Sequence, residues 1–263
     1  MKILITGATS GIGYHLALNL LKRKHFVILT AEKELELENL QEKIKHKKVS
    51  NYICKKLDIT NKEDIKEILK LEFDYLVNLA AIGIGGSILD VPISKLKQNF
   101  ETNFFATFNL IKEFIKRQKE NNKKGKVIIT SSILGNIPLP FLGCYASSKS
   151  AITMMSECLN LELKKIKSNI KIKLIEPGAY HTGFNQVMIN NKEPYMEKSI
   201  FFNNITLETI IKQNKLFELI EKKKLTSVVN KMTHIIERNN NKFKYRTPFL
   251  QALLTKLYLI FIK

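Results

Sequence analysis

The turn that organises the predicted fold reads Thr6-Gly7-Ala8-Thr9-Ser10-Gly11-Ile12-Gly13. It follows an apolar run, residues 2–6, that predicts a strand, and it precedes residues 12–23, which have leucines at helical spacing. Glycines let the backbone turn tightly and approach phosphate oxygens. The helix N-terminus adds unpaired N–H groups and a positive dipole end. These glycines could form a simple turn, but their place between a strand and a helix favours a dinucleotide-phosphate site.

Strands and helices alternate along the rest of the chain. Further strands are predicted at 26–30, 51–57, 75–80, 126–131 and 171–175, and further helices at 32–46, 61–71, 94–120 and 144–166. This alternation predicts an α/β fold with a doubly wound parallel sheet, covered on both faces, in one domain over residues 1–263. Residues 183–225 lack strand signals and are predicted to form a helical substrate lid, and residues 245–263 an apolar C-terminal helix.

The net charge of +19 raises the question of a polyanionic partner. Of the 43 basic residues, only Arg23, Arg117, Arg238 and Arg246 are arginines. Nucleic-acid readers depend on the forked guanidinium, so a lysine-rich chain without tryptophan favours a coding bias over a charge-driven function. We therefore predict no nucleic-acid partner.

The cysteines and the apolar segments bear on location. Cys54, Cys144 and Cys158 show no local pairing, which is typical of free thiols in a reducing compartment. The first apolar run is too short for a signal-peptide core, and no run reaches the length of a membrane span. We expect a cytoplasmic protein with no metal site.

Further motifs follow in a fixed order. Asp58 follows the third predicted strand, Asn78-Leu79-Ala80-Ala81 ends the fourth, and Ser131-Ser132 ends the fifth. Tyr145-Ala146-Ser147-Ser148-Lys149 opens a helix, and Pro177-Gly178 with Thr182 follows the sixth strand. With Thr-Gly-x-x-x-Gly-x-Gly at 6–13, this series resembles the short-chain dehydrogenase/reductase family from residue 2 to about 185. The resemblance implies a Rossmann fold, a nicotinamide cofactor and an alcohol or carbonyl substrate.

The catalytic candidates are Asn103, Ser132, Tyr145 and Lys149. Tyr145 and Lys149 are four residues apart and share a helix face, so the ammonium is expected to lower the pKa of the phenol and fit it for proton transfer. The resemblance implies that Ser132 holds the substrate oxygen, that Lys149 also binds the nicotinamide ribose, and that Asn103 positions water near Lys149. His181 is expected to be a loop residue.

The cofactor set combines the glycine turn with residues at later strand ends. It comprises Gly7, Thr9, Ser10, Gly11, Ile12, Gly13, Glu32, Asp58, Ile59, Asn78, Ala80, Tyr145, Lys149, Pro177, Gly178 and Thr182. Glu32 follows the second strand, where a carboxylate accepts the adenosine ribose hydroxyls and repels a 2′-phosphate. NAD is therefore favoured over NADP, although Lys33 could reach a phosphate.

The substrate and the tail leave alternatives open. Gly178-Ala179-Tyr180-His181-Thr182-Gly183-Phe184 resembles the steroid and retinol dehydrogenase branch, which implies an apolar steroid-, retinoid- or lipid-like substrate. The alternatives are a fatty-acyl or sugar carbonyl, or a catalytically idle cofactor-binding protein. The family resemblance implies a homodimer or homotetramer through helices 94–120 and 144–166. The tail from Phe249 to Lys263 fits a peripheral membrane contact, packing over the active site, or a dimer contact.

Overall fold

The computed structural model describes residues 1–190, 195, 199–202, 212, 215 and 218–261. Within them, seven strands form one parallel sheet in the order β3-β2-β1-β4-β5-β6-β7. Every neighbouring pair of strands runs parallel. The strands are β1 Lys2–Ile5, β2 Phe26–Ala31, β3 Tyr52–Lys56, β4 Tyr75–Asn78, β5 Gly125–Thr130, β6 Ile170–Pro177 and β7 Lys244–Thr247.

Helices connect these strands and cover both faces of the sheet. They are α1 Gly11–Lys22, α2 Glu34–Lys45, α3 Lys62–Leu69, α4 Ile93–Phe100, α5 Thr107–Glu120, α6 Gly143–Lys165, α7 Phe184–Asn190, α8 Thr226–Glu237 and α9 Phe249–Phe261. A π-helical turn, Glu101–Ala106, joins α4 to α5, and a short 3₁₀ turn, Ile133–Gly135, follows β5. No helix among the described residues is long and apolar enough to cross a membrane.

Alternate residues of each strand enter different cores. On β1, Ile3 and Ile5 pack with α1, α2 and α8, whereas Leu4 packs with α3, α5 and α6 on the other face. All three side chains are fully buried. This two-sided burial is the result of the period-two side-chain pattern of a strand within a doubly wound sheet. The predicted fold class is confirmed.

The strand order reverses between β1 and β4. The chain leaves β1 towards β2 and β3, then returns to build β4 to β7 on the other side. Loops from the two halves separate at such a point, and a crevice opens at the carboxyl ends of the strands. The glycine turn after β1 and Leu79-Ala80 after β4 line this crevice together, which places the predicted site there.

The predicted tail helix over 245–263 begins too early. Lys244–Thr247 forms β7, which pairs with β6 and buries Tyr245 and Thr247, while α9 begins at Phe249. Edge pairing with β6 therefore takes these residues into the sheet. The sequence analysis also left α8 and the π-helical turn within 94–120 unpredicted.

The structure describes only part of the predicted lid over 183–225. Helix α7 and a helical stretch at 218–220 fall within it. Residues 195, 199–202, 212, 215 and 221–225 of the lid are also described, and the rest of the lid lies outside the described residues.

Candidate active site

A cleft of about 1300 Å³ opens at the carboxyl ends of the strands. It brings together almost all the residues predicted from the sequence. Its lining includes Gly7, Thr9, Ser10, Gly11, Ile12, Gly13, Glu32, Asp58, Ile59, Ala80, Ser132, Tyr145, Lys149, Pro177, Gly178 and Thr182. Asn78 and Asn103 are buried next to the cleft and do not line it.

The glycine turn lies tightly against its neighbours. Gly7 has a φ of +65°, which favours glycine, and a Cβ there would lie 3.0 Å from the backbone of Ala80. A Cβ on Gly13 would lie only 2.2 Å from the carbonyl oxygen of Gly7. The turn therefore keeps a bare backbone beside the N-terminus of α1, the arrangement that suits a pyrophosphate.

We expect the Gly13→Ala variant to lose about 1–3 kcal/mol of unfolding free energy, because the added methyl group forces backbone atoms apart. The thermal shift caused by NAD should shrink in the same variant. Gly125→Ala is the control, since its Cβ would meet only side-chain atoms of Gln118 and Phe114 at 3.3 Å. Thermal melts with and without NAD measure both effects. Equal stability of the two variants would contradict the close-packing argument.

Carboxylates mark the end of the cleft beyond β2 and β3. Glu32 and Glu36 both line it, whereas Lys33 precedes α2 and does not. Asp58 lies beside them, and its Oδ1 accepts hydrogen bonds from the N–H and hydroxyl of Thr60 at 2.8 and 2.7 Å. These contacts fix the Asp58 side chain at the edge of the cleft, and the charge near Glu32 is negative.

Tyr145 and Ser132 meet at the centre of the cleft. Tyr145 lies in the first turn of α6, and Ser132 is the second residue after the end of β5. The Ser132 hydroxyl is near enough to the Tyr145 phenol to offset part of the pKa rise that burial causes, and it donates to the carbonyl oxygen of Pro177 at 3.5 Å. Ser132 also accepts a hydrogen bond from the N–H of Leu134 at 3.1 Å. Both side chains are over nine-tenths buried, so they can address one substrate oxygen away from bulk water.

Lys149 lies one helical turn beyond Tyr145. Its Nζ donates a hydrogen bond to the carbonyl oxygen of Thr130 at 3.1 Å and lies 5.7 Å from the centre of the Tyr145 ring. Burial lowers the pKa of Lys149 to about 8. The ammonium is therefore held in the cleft by a backbone carbonyl.

The expected lowering of the Tyr145 pKa is wrong in this structure. Burial raises the pKa of Tyr145, and the Ser132 hydrogen bond offsets only part of that rise. The physical reason is desolvation, which disfavours the phenolate. The Lys149 ammonium donates to the carbonyl oxygen of Thr130, and burial and Ser132 are the causes of the shift in the Tyr145 pKa.

Asn103 lies in the π-helical turn between α4 and α5. Its amide accepts from the N–H of Ile82 and donates to the carbonyl oxygen of Ile82, both at 2.9 Å, and it also donates to Ser148 Oγ at 3.1 Å. It therefore joins the segment after β4 to α6, the helix that holds Tyr145 and Lys149. Within the structure it is a positioning residue.

Asn78 and Ser131 lie beside the site. The N–H groups of Leu79 and Ala80 both donate to Thr6 Oγ1 at 3.0 Å, and Thr6 is bonded to Asn78 Oδ1. The Asn78 Nδ2 is buried without a hydrogen-bond partner in the structure. The Ser131 hydroxyl bonds to α6, at Lys149 O and Thr153 Oγ1, so Ser132 is the serine that faces Tyr145.

Helix α9 supplies part of the cleft wall, which agrees with packing over the active site, one of the alternatives that the sequence left open for the tail; the lining residues themselves were not predicted. Gln251, Leu254, Thr255 and Tyr258 line the cleft. Gln251 Oε1 accepts from the N–H of Ala179 at 2.7 Å, and its Nε2 donates to the carbonyl oxygen of Ile220 at 2.7 Å. The polar residues 251, 255 and 258 share one helix face, and this spacing in an otherwise apolar tail was the available signal.

A buried ion-pair network below the cleft was also missed. Glu176, fully buried on β6, pairs with Arg246 and Lys244 of β7. Asn136 donates to Glu176 Oε1 at 2.9 Å and accepts from Arg246. Asn136 belongs to the loop that carries Ser132, so the network connects β7 to the loop that holds the serine.

A short chain dehydrogenase family model matches residues 1–193. The chain belongs to the short-chain dehydrogenase family. An uncharacterized oxidoreductase, YusZ of Bacillus subtilis, is 36% identical over 72% of this chain and 68% of its own length. The 3-ketodihydrosphingosine reductase of Bacteroides thetaiotaomicron is 28% identical over 97% of this chain and 90% of its own length. Human retinol dehydrogenase 8 is 30% identical over 69% of this chain and 60% of its own length.

Solved structures confirm the fold of this short-chain dehydrogenase. A family member from Burkholderia phymatum in complex with NAD has a TM-score of 0.81 at 19% identity, over 99% of this chain and 93% of the other. A dehydrogenase from Burkholderia cenocepacia in complex with NADP has a TM-score of 0.72 at 20% identity, over 98% of this chain and 92% of the other. The family membership makes the protein an NAD(P)-dependent oxidoreductase, and the resemblance to the retinol and steroid branch is supported.

Proposed function

We propose that this short-chain dehydrogenase interconverts an apolar alcohol and its carbonyl compound and uses NAD in preference to NADP. The apolar lining of the cleft around Tyr145 is the observation that supports this class of substrate. Helix α7, the 218–220 stretch, helix α9 and the loop after β5 supply apolar side chains to it, namely Leu134, Ile137, Leu139, Leu142, Phe184, Val187, Ile220 and Leu254. Such a wall suits a hydrocarbon chain or ring system.

The protein residues supply the proton chemistry and the positioning. A bound nicotinamide ring supplies or accepts the hydride. Tyr145 Oη gives its proton to the substrate oxygen in reduction and takes it back in oxidation, while Ser132 Oγ holds that oxygen. Lys149 would bind the ribose that carries the nicotinamide ring, and Asn103 holds α6, the helix of Lys149, in place. The raised pKa of Tyr145 makes it a proton donor in the structure described.

The relatives support an apolar substrate. Their names state that one acts on 3-ketodihydrosphingosine and another on retinol, both of which carry long hydrocarbon parts. A panel of sphingoid ketones, retinoids and steroids, followed by the absorbance of the reduced nicotinamide, tests this proposal. We expect kcat/KM for at least one of them to exceed that for sugar-derived carbonyls. Turnover confined to polar carbonyls would contradict the apolar wall as the specificity feature.

The preference for NAD rests on the charge at the ribose end. Glu32 and Glu36 line the cleft there, and Lys33, the counter-argument in the sequence, does not. A 2′-phosphate at this end would face two carboxylates, whereas ribose hydroxyls can donate to them. The charge around Glu32 therefore supports NAD.

We expect the Glu32→Arg variant to raise the ratio of kcat/KM with NADP to kcat/KM with NAD at least about tenfold, which corresponds to about 1.4 kcal/mol. The arginine removes a repelling carboxylate and supplies a bidentate phosphate donor. Glu38→Arg makes the same charge change at an exposed position of α2 outside the cleft, so its ratio should stay near wild type. An equal change in both variants would point to overall charge instead.

A homodimer or homotetramer remains a prediction. Phe105 in the π-helical turn and Met154 and Leu161 of α6 are each more than half exposed, on the helices expected to form the contact. Exposed apolar residues in this number are typical of partner surfaces. Analytical ultracentrifugation of the full chain measures the state directly.

A further inference from the structure

Helix α9 presents polar side chains to the cleft and apolar side chains to the solvent. Gln251, Thr255 and Tyr258 face the cleft, at intervals of four and three residues. The opposite side carries Phe249, Leu250, Leu253, Leu257 and Ile260, hereafter the tail face. These side chains are 80%, 64%, 42%, 43% and 70% exposed. A helix packed on a water-soluble core normally presents the reverse pattern, so the tail face is suited to an apolar environment.

Apolar residues beside α9 extend the tail face to the mouth of the cleft. Ile220 and Val187 are exposed and also line the cleft, as does Leu254 of α9. The hydrogen bond from Gln251 to the carbonyl oxygen of Ile220 holds the 218–220 stretch against α9. Leu254 lies one helical turn from Leu250 and Leu257 of the tail face, so the exposed apolar surface reaches the cleft through this side chain.

Charged side chains next to this surface are mostly basic. Lys222, Lys223 and Lys224 follow the 218–220 stretch after Glu221 and are exposed, and Lys256 lies on α9 itself. The nearby acids are Glu218, which is exposed, and Glu221, which is paired with His181 and Asn185. The described part of α9 carries no acidic residue.

We propose that the tail face docks on an anionic lipid bilayer, with the cleft mouth opening at the bilayer surface. The apolar side chains enter the region between headgroups and acyl chains, and the lysines pair with anionic headgroups. This inference rests on the proposed apolar substrate: Leu254, Ile220 and Val187 would offer such a molecule a path from the bilayer that avoids water.

A second copy of this chain fits the tail face less well. A two-fold contact places the same patch on both partners, so that each set of lysines would approach the other. An anionic bilayer neutralises these charges, which is why we choose it as the occupant.

The full-length protein is tested by flotation with vesicles of phosphatidylcholine alone and with roughly 30 mol % phosphatidylglycerol. We expect at least tenfold more protein to float with the anionic vesicles, and less at high salt because screening weakens the lysine contacts. The Lys223→Gln and Lys224→Gln changes should each weaken binding roughly fivefold. The double variant Leu250→Glu/Ile260→Glu should stay in solution.

Leu35→Glu is the control for adding a carboxylate at an exposed leucine away from the tail face, since Leu35 is 69% exposed on α2; it adds one charge where the double variant adds two, and it should float like wild type. Wild-type protein that stays in solution with anionic vesicles overturns the proposal. So does an oligomer that dissociates on Leu250→Glu/Ile260→Glu, since a second copy would then cover the tail face. Flotation needs no substrate, so its result is separable from failure of the proposed substrate class.

Discussion

The Tyr145→Phe variant is expected to lose about 10²- to 10⁴-fold in kcat, with little change in stability or in NAD binding. The substitution removes only the hydroxyl that meets Ser132 in the cleft and keeps the buried ring, which packs against Phe184 with ring centres 5.5 Å apart. Without that hydroxyl, the protein has no proton donor at the substrate oxygen. Steady-state kinetics on a substrate from the apolar panel, with thermal melts in NAD, measure both consequences.

Tyr52→Phe is the control, since Tyr52 lies on β3, outside the cleft, and loses the same atom. It should keep kcat near wild type. If Tyr145→Phe turned over as fast as this control, another group would have to transfer the proton and the assignment of Tyr145 would be wrong. A kcat loss accompanied by loss of the NAD thermal shift would instead place Tyr145 in binding.

The Arg246→Met variant is expected to lose about 3 kcal/mol of unfolding free energy, because Glu176 is left as a buried carboxylate without its main partner. Lys244, whose Nζ lies 3.5 Å from Glu176 Oε1, remains and keeps the loss at the low end of the range for buried pairs. The melting temperature should fall by roughly 6–12 °C. Because Asn136 contacts both Glu176 and Arg246, the loop that carries Ser132 should also loosen.

Arg23→Met is the matched control for that variant. Arg23 pairs with Glu237 at 3.1 Å, but its side chain is 50% exposed, so the loss should be within about 1 kcal/mol. Combining Arg246→Met with Glu176→Leu should recover part of the stability, since no charge remains buried and unpaired. Equal losses in the two single variants would mean that burial of Glu176 does not govern the energetics of the network.

Features governed by local chemistry could be predicted from the sequence. The glycine turn, the strands before it and after it, and the Tyr145–Lys149 spacing depend on residues close in the chain, and the structure has them as predicted. The convergence of Asp58, Ser132 and Pro177 on one cleft also follows, because the carboxyl ends of parallel strands share an edge.

Features that depend on distant partners could not be predicted in the same way. The four residues of β7 include Lys244 and Arg246, and only their pairing with β6 and Glu176 makes this segment a strand. The pKa of Tyr145 depends on how deeply the assembled fold buries it, which the four-residue spacing does not report. Helix α8 is different, since Val228, Met232 and Ile235 have helical spacing that would have identified it.

The position of α9 has an evolutionary consequence. The family model ends at residue 193, yet Ile220, Leu254 and Tyr258 beyond it form part of the substrate wall. The groups assigned to proton transfer and nucleotide binding all lie before that boundary. Substitutions after residue 193 can therefore reshape the cleft wall while the residues assigned to proton transfer and nucleotide binding stay unchanged, so the two parts of the chain can diverge at different rates.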